Sequence, residues 1–296
     1  MKRWFFTLIC SLCLPMAAQN GYSRTTVHPC SLLGSEHVVL TTGDTAIFVR
    51  AYNAQVETMM SLHLDAMLRV SAGSEYGIPS HLPELPATID FLSPAFVHLS
   101  VPFPLTGARG FELTGDAHRY SLLVPGAFGR TFITGPVDAP GRSSNPTENL
   151  RPTTLIEALR WPKATLTNPV VLPEPASGDE LKLKVAPLPG KTEFRIAKMK
   201  LDRETGTVSS LVLYDSSGTL VSGTETTYAD WAPVKNPAGA GTCFPGTISI
   251  FSPGHKNAIT LRVRRVQWNI VIPEELFRHV PPSGATVVRA EDIGPH

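Results

Sequence analysis

Charge is scarce in this sequence, and no run of like charges stands out. Asp, Glu, Lys and Arg make up 17% of the 296 residues and leave a formal net charge of +1, whereas an average soluble domain has roughly 25% charged residues. A nucleic-acid-binding surface needs clustered Lys and Arg. The nearest approach to such a cluster is Arg262-Val263-Arg264-Arg265, whose alternation is typical of the solvated face of a strand. The composition therefore argues against a nucleic-acid partner.

Known catalytic and metal-binding motifs are also missing. The sequence has no Gly-x-Ser-x-Gly elbow, no phosphate-binding loop and no His-Glu-x-x-His, and its Cys10-x-x-Cys13 pair lies in the apolar N-terminal stretch. The nine histidines are scattered. His63, His98 and His118 fall in predicted strands without a second ligand at metal spacing, which is more typical of surface or hydrogen-bonded strand residues. We therefore predict no catalytic residue, no metal and no cofactor, and a protein that is not an enzyme.

No apolar run is long enough to span a bilayer, which takes ~20 residues. Lys2 and Arg3 precede the apolar residues 4–14, and Ala17-Ala18 supplies small residues at a cleavage point. This pattern predicts a signal peptide at residues 1–18, with an uncleaved anchor as the alternative. We expect the mature chain to be exported and otherwise soluble.

Cysteine is rare, with four in the chain. Cys10 and Cys13 would leave with the signal peptide, and Cys30 and Cys243 would remain. In an oxidising compartment these two could pair as a disulfide; the alternative is two unpaired thiols, because sequence cannot show that they meet. Neither leader cysteine has the surroundings of a lipidated cysteine, and Cys30 lies too far downstream, so lipidation is unsupported.

Turn-forming residues are abundant, with 27 Pro and 23 Gly. Between residues 96 and 134, short period-two runs separated by Pro, Gly and Asp predict an antiparallel meander. The loop at residues 102–107 contains the apolar Phe103 and Leu105. Either this loop folds back and closes the core, or it protrudes and touches lipid or a lipid-bearing partner.

Two helices interrupt the strand pattern. Residues 46–60 form an amphipathic pattern after side chains at 42–45 that can cap a helix, with an opposite face that includes Asn53. The buried stripe consists of Val49, Tyr52, Val56 and Met59. A half-buried strand follows at residues 62–70. A second helix is predicted from Arg151-Pro152, capped by Asn149 and with an apolar face of Leu155, Ile156 and Leu159.

The second half of the chain repeats the strand pattern. Candidate strands fall at 170–172, 181–185, 194–201, 208–214, 219–227, 246–251 and 258–269, followed by a short helical turn at 272–277 and a polar tail. Consecutive hairpins without long intervening helices favour an antiparallel sheet that curls on itself.

This order of elements resembles the outer-membrane lipoprotein-sorting proteins related to LolA and LolB. The resemblance covers roughly residues 42–281. It rests on the order and residue pattern of several segments rather than on one diagnostic motif. These segments are the helix-to-strand passage 52–57 and 61–66, the strands 96–101 and 109–114, the run 115–125, and residues 145–152 before the second helix.

The resemblance implies an α+β, mainly β fold: an incomplete antiparallel β-barrel, or curled sheet, with helices covering its concave face. An apolar cavity between sheet and helices would hold acyl chains. The matching ligand-binding positions are Val49, Tyr52, Val56, Leu62, Leu64, Leu68, Leu155 and Leu159. In the receptor branch of the family a loop after the third strand inserts an apolar residue into the membrane, and Phe103 or Leu105 matches it. The missing lipidation signal fits a soluble carrier better than an anchored receptor.

The expected function is that of an exported, non-enzymatic carrier or receptor that binds lipoprotein acyl chains during outer-membrane lipoprotein sorting. Its partners would be lipoproteins or acyl lipids and the outer-membrane surface, and it would work in the periplasm as a monomer. The expected segments are a signal peptide (1–18), an irregular lead-in (19–41), the half-barrel (42–281) and a polar tail (282–296). The alternative is a periplasmic structural or regulatory module that binds a protein or peptide, favoured if side chains of the protein itself fill the cavity.

Overall fold

The structure is a computed structural model. It describes residues 30, 42–72, 80–81, 83–102, 109–116, 118–126, 129–137, 139, 150–165, 180–187, 193–202, 205, 207–215, 217–235, 239, 241–251 and 257–293.

Fourteen strands of the described residues form one sheet. The first seven are β1 (Ser61–Ala72), β2 (Ser80–His81), β3 (Leu85–Leu92), β4 (Phe96–Pro102), β5 (Arg109–Gly115), β6 (Arg119–Gly126) and β7 (Gly129–Pro136). The other seven are β8 (Glu180–Val185), β9 (Arg195–Leu201), β10 (Val208–Tyr214), β11 (Leu220–Lys235), β12 (Gly241–Phe251), β13 (Asn257–Trp268) and β14 (Ala285–Arg289).

The sheet consists of two meanders joined at their middle. Its order is β14-β7-β6-β5-β4-β3-β1-β13-β12-β11-β10-β9-β8, and β2 pairs only with β1. The two halves meet where β1 pairs antiparallel with β13 over most of its length, from Leu62 opposite Trp268 to Ala72 opposite Asn257. The path ends at β14 and β8 without closing. The expected incomplete barrel is therefore confirmed.

Two helices cover the concave face of the sheet. They are α1 (Thr42–Thr58) and α2 (Pro152–Leu159). α2 contacts β4 and β5 on one flank of β1 and β11 and β12 on the other, so the sheet curls around it. Alternation explains which side chains point inward: on β1, Leu62 and Leu64 are fully buried in the same core as the apolar side chains of both helices, whereas the intervening His63 is half-buried.

A glycine on β5 allows α2 to approach the sheet. A Cβ atom placed on Gly115 would lie 2.3 Å from Cβ of Pro152, the first residue of α2. Real Cβ contacts are never this short, so only glycine permits α2 to start against β5. The cap position of α2 is Arg151, which makes no side-chain cap hydrogen bond, and the predicted cap Asn149 lies outside the described residues.

α1 departs from its prediction in two ways. It begins at Thr42, so the residues predicted to cap it form its first turn. Asn53, predicted on the solvated face, is buried, because its side chain donates to the carbonyl of Ala164 and accepts from the amide of Ala164, both at 2.9 Å. This pair of hydrogen bonds joins α1 to the segment after α2, a contact distant in sequence that helical periodicity does not reveal.

The C-terminal residues extend the sheet beyond residue 281, where the half-barrel was expected to end. After the predicted helical turn, present as a 3₁₀ turn at Glu274–Phe277, the chain crosses the outer face of the sheet. Phe277 packs on Phe96 with ring centroids 5.5 Å apart, and His279 lies 3.0 Å from the Ser121 hydroxyl. β14 then pairs parallel with β7. A five-residue edge strand in a polar segment carries too weak a pattern to be recognised from sequence.

Candidate functional site

The structure brings all eight predicted ligand-binding residues into one core. None of them is more than 7% exposed. Three lie on α1, three on β1 and two on α2: Val49, Tyr52, Val56, Leu62, Leu64, Leu68, Leu155 and Leu159. They pack as part of one cluster of buried side chains, so the concave face is filled by the protein itself over much of its extent.

Aromatic side chains supply much of this filling. Trp161, two residues after α2, stacks on Tyr52 with ring centroids 5.7 Å apart. It meets Tyr228 edge-on at 5.6 Å and Trp231 at 5.2 Å. The Tyr52 hydroxyl donates to the Pro162 carbonyl at 2.7 Å. The cluster thus ties α1, the end of α2 and β11 together.

Burial keeps the two central phenols neutral. Burial raises the pKa of Tyr52 and of Tyr228 well above the usual value for tyrosine. The hydroxyl of Tyr228 donates to the Ala158 carbonyl at 3.2 Å. Both phenols therefore act as hydrogen-bond donors that fix the helices, and neither has the low pKa that a proton-transfer role at neutral pH would need.

An open cleft remains where the two helices meet β11 and β12. Its volume is about 360 Å³, including its solvent-open part. The lining residues are Gln55, Val56, Met59, Ala158, Leu159, Arg160, Trp161, Tyr228, Cys243, Phe244 and Pro245. Seven of the eleven belong to the buried core of apolar side chains. Of the predicted ligand-binding residues, Val56 and Leu159 line the cleft and the other six lie deeper in the core.

Two contacts reach the β12 wall of the cleft, one from α1 and one from Cys30. The Gln55 side chain donates to the Cys243 carbonyl at 2.7 Å. A disulfide joins Cys243 to Cys30, with Cα atoms 5.4 Å apart, within the usual range for such bonds. The disulfide therefore fixes Cys30 beside the cleft.

A buried ion pair holds α2 to the sheet. Glu157 on α2 pairs with Arg195 on β9, and both side chains are almost fully buried. Arg195 points inward together with Ala197, Met199 and Leu201. The period-two pattern of β9 already places Arg195 on that face, so the sequence contained a signal for this inward charge.

One cation lies at the rim of the cleft. Arg160 follows the last residue of α2, and its Nη1 donates to the Pro94 carbonyl at 2.9 Å. Burial lowers the pKa of Arg160, but an arginine remains protonated in proteins. Its Nε is buried and finds no hydrogen-bond partner among the residues that the structure describes.

The predicted contact loop lies outside the described residues. Phe103 and Leu105 fall between Pro102 and Arg109, so their role stays a prediction. Within the described part of the chain, no group of three His, Cys, Asp or Glu side chains is placed to hold a metal ion. Neither α1 nor α2 has the length and apolarity needed to cross a membrane, nor does any other helix of the described residues.

Acidic and imidazole side chains alternate across the outer face of β1, β3, β4 and β5. The His63 Nδ1 lies 2.7 Å from Asp90 Oδ1, and the His98 Nε2 lies 2.9 Å from Glu112 Oε1. The His98 Nδ1 lies 3.7 Å from Asp90 Oδ2, an ion-pair distance rather than a hydrogen bond. Burial raises the pKa of Asp90, but the two histidines outweigh it and bring this pKa below the usual value.

His98 should make the stability of the protein fall in mildly alkaline solution. Burial lowers the pKa of His98, but Asp90 and Glu112 outweigh it and raise this pKa to about 9. Because unfolded histidine titrates near pH ~6.5, protonation of His98 stabilises the folded state fully below that pH and is lost as the pH rises through about 9. We expect a loss on the order of 3 kcal/mol over this range.

Urea unfolding between pH 6 and 10 measures this loss. The His98→Gln variant should show a shallower decline than the wild type, while the exposed control His118→Gln should follow the wild type. Parallel curves for all three proteins would contradict the assignment to His98.

Sequence patterns did not identify several residues of the cleft. Trp161 had been assigned only to the end of the helix, and Tyr228, Phe244 and Pro245 lie beyond or before the predicted strands of residues 219–227 and 246–251. β11 and β12 in fact extend to Lys235 and start at Gly241. The two strands pair with each other through Pro233 and Cys243. This pairing keeps both segments in strand conformation at positions where local turn residues suggest that a strand ends.

Comparison with known proteins gives structural neighbours only. No protein-family model matches the chain, and no curated protein matches it. A domain from Vibrio parahaemolyticus, provisionally described as an outer membrane lipoprotein-sorting protein, is 12% identical with a TM-score of 0.45; the match covers 77% of this chain and 93% of that one.

Two further solved structures are similar at the same level. A LolA superfamily protein from Nitrosomonas europaea is 11% identical with a TM-score of 0.44, covering 78% of this chain and 97% of the other. A DUF1329 family protein from Desulfovibrio piger is 12% identical with a TM-score of 0.37, covering 78% and 95%. At such identities and scores, none of them transfers a function to this chain. The first two carry the names of the lipoprotein-sorting and LolA proteins that the sequence resembles.

Proposed function

We propose that this protein is an exported carrier that takes acyl chains out of water at the cleft between α1, α2, β11 and β12. The observation that carries the proposal is an apolar opening that leads directly to the core of a curled sheet. The resemblance of the sequence to lipoprotein-sorting proteins supports a lipoprotein as the donor of these chains. The site of action would then be the periplasm, with handover at the outer membrane.

The energetics of the proposal are those of hydrophobic transfer. Each CH₂ group that leaves water contributes ~0.8 kcal/mol. The volume of about 360 Å³ includes open solvent, so the space that the cleft itself encloses is smaller than the roughly 300–1,000 Å³ of small-molecule sites. An acyl chain would therefore enter only as side chains move, and deep entry would require the stacked Tyr52 and Trp161 to separate. Release would follow when a receptor or membrane offers more apolar area.

Adjacent methionines provide a matched test. Met59 is buried and lines the cleft, whereas Met60 is 56% exposed and lies outside it. Native mass spectrometry of the chain purified from an envelope fraction, with lipid extraction, should detect bound acyl compounds. A tripalmitoylated lipopeptide should bind to wild type and Met60→Gln, and at least tenfold more weakly to Met59→Gln, with folding checked by circular dichroism.

The filled concave face favours a second candidate, a module that binds a protein or peptide. A carrier without an open cavity must move its helices, whereas a peptide-binding surface need not. The same measurement separates the two functions. A chain that purifies without lipid, and stays without it when lipopeptide is added, would contradict the carrier and support the peptide-binding module.

A further inference from the structure

The charge of the cleft is not balanced. Of the eleven described residues that line it, Arg160 is the only one with a charged side chain. The carboxylates of the neighbouring helices have other cations: Glu57 pairs with Lys163 and Glu157 pairs with Arg195. An apolar cleft with one unbalanced cation at its rim complements a ligand that has an apolar body and a single anionic group.

The hydrogen bonding of Arg160 is also incomplete. A guanidinium has five N–H donors. One nitrogen, Nη1, donates to the Pro94 carbonyl, while the buried Nε finds no acceptor in the described part of the chain. Leaving a buried donor of a charged group unpaired costs more than for a neutral one. An anion at the rim would accept from this guanidinium with the short, strong geometry of charge-assisted bonds.

A structural role explains only part of this arrangement. A cation at the C-terminal end of a helix stabilises the exposed carbonyls of the last turn, and Arg160 lies at that position on α2. That role uses the charge and the Nη1 contact. It does not use the Nε donor, and it does not require the residue to line a cleft.

We propose that the cleft binds a single acyl chain that ends in a carboxylate, and that Arg160 binds the carboxylate while the chain lies against Val56, Met59 and Phe244. The inference rests on the proposed function, because it takes acyl binding at this cleft as given. It differs in the polar end: a chain that ends in a carboxylate is a free fatty acid, whereas the chains of a lipoprotein are held in ester and amide bonds. The single cation among the described lining residues argues for one negative charge, and hence for one such chain.

Isothermal titration with decanoate and decanol tests the proposal, because the two ligands share an acyl length and differ in charge. The wild-type chain should bind decanoate at least tenfold more tightly than decanol, both below their aggregation limits. Arg160→Gln should weaken decanoate about tenfold and leave decanol unchanged, and Arg160→Lys should keep most of the preference. Lys163→Gln, which removes an exposed cation outside the cleft, should behave as wild type.

Each other outcome counts against the proposal in a distinct way. Equal affinity of wild type for decanoate and decanol, or a parallel loss of both in Arg160→Gln, would reject the carboxylate while acyl binding stands. Tighter binding of decyl phosphate than of decanoate would show that the cleft prefers a phosphate group and overturn the choice of carboxylate. If neither ten-carbon ligand nor the lipopeptide binds, the proposed function fails together with the inference.

Discussion

Replacing Arg195 with methionine is expected to lower the free energy of unfolding by about 3–5 kcal/mol. The side chain lies on the inner face of β9, where it pairs with Glu157 of α2, and both groups are almost fully buried. Without Arg195 the buried Glu157 carboxylate loses this cation, and must stay charged in the core or be protonated at a cost. Urea denaturation followed by circular dichroism measures the loss.

A double variant shows whether the lost stability comes from breaking the ion pair or from a simple loss of packing. Arg195→Met combined with Glu157→Leu replaces two buried charges by apolar groups and should recover most of the lost stability, because such replacements are often neutral or stabilising. The exposed control Arg264→Met should stay within about 0.5 kcal/mol of wild type. If the double variant is less stable than Arg195→Met alone, the pair is not what makes the single substitution costly.

Reduction of the disulfide is expected to lower the free energy of unfolding by about 2–5 kcal/mol. Cys30 and Cys243 are 213 residues apart in sequence, so the bond closes a loop that spans most of the chain. In the chain-entropy account, a longer closed loop restricts the unfolded ensemble more, which places this bond towards the upper end of that range. Urea unfolding with and without reductant, at constant pH, gives the difference.

The Cys30→Ser/Cys243→Ser variant is the matched control. Its stability should equal that of the reduced wild type and should not respond to reductant. Intact mass after thiol alkylation should show neither Cys30 nor Cys243 modified in the oxidised protein. Two alkylated thiols in the exported chain, or a reductant effect that persists in the double variant, would contradict the stabilising role of this bond.

Much of the fold was accessible from local patterns. Period-two alternation identified the strand that became β1 and the meander of β4 to β7, because a sheet with one face in the core requires that alternation. The buried stripe of α1 and the apolar face of α2 were read from helical spacing. The short edge strand β14 was not predicted from the sequence. It makes few contacts beyond its parallel pairing with β7.

The candidate site was accessible only in part. The eight positions that the resemblance assigned to a ligand cavity pack in one core, and of these only Val56 and Leu159 line the cleft. Their role in binding stays a prediction. The space is filled by Trp161, Tyr228 and Trp231, which come from the segment after α2 and from β11 and lie with ring centroids 5.2–6.2 Å apart. No periodicity in one segment predicts which rings will stack with those of another.

The sequence by itself determined that this chain forms short alternating strands, two amphipathic helices and an export-type leader pattern, because these depend on neighbours in the chain and on the order of apolar and polar residues. The tertiary structure decided the rest. It paired Glu157 with Arg195, joined Cys30 to Cys243, and left Arg160 as the one charged residue lining an apolar cleft. These features, including the count of charged side chains among the described residues of the cleft, depend on distances between residues far apart in sequence, and such distances exist only once the sheet has curled around its helices.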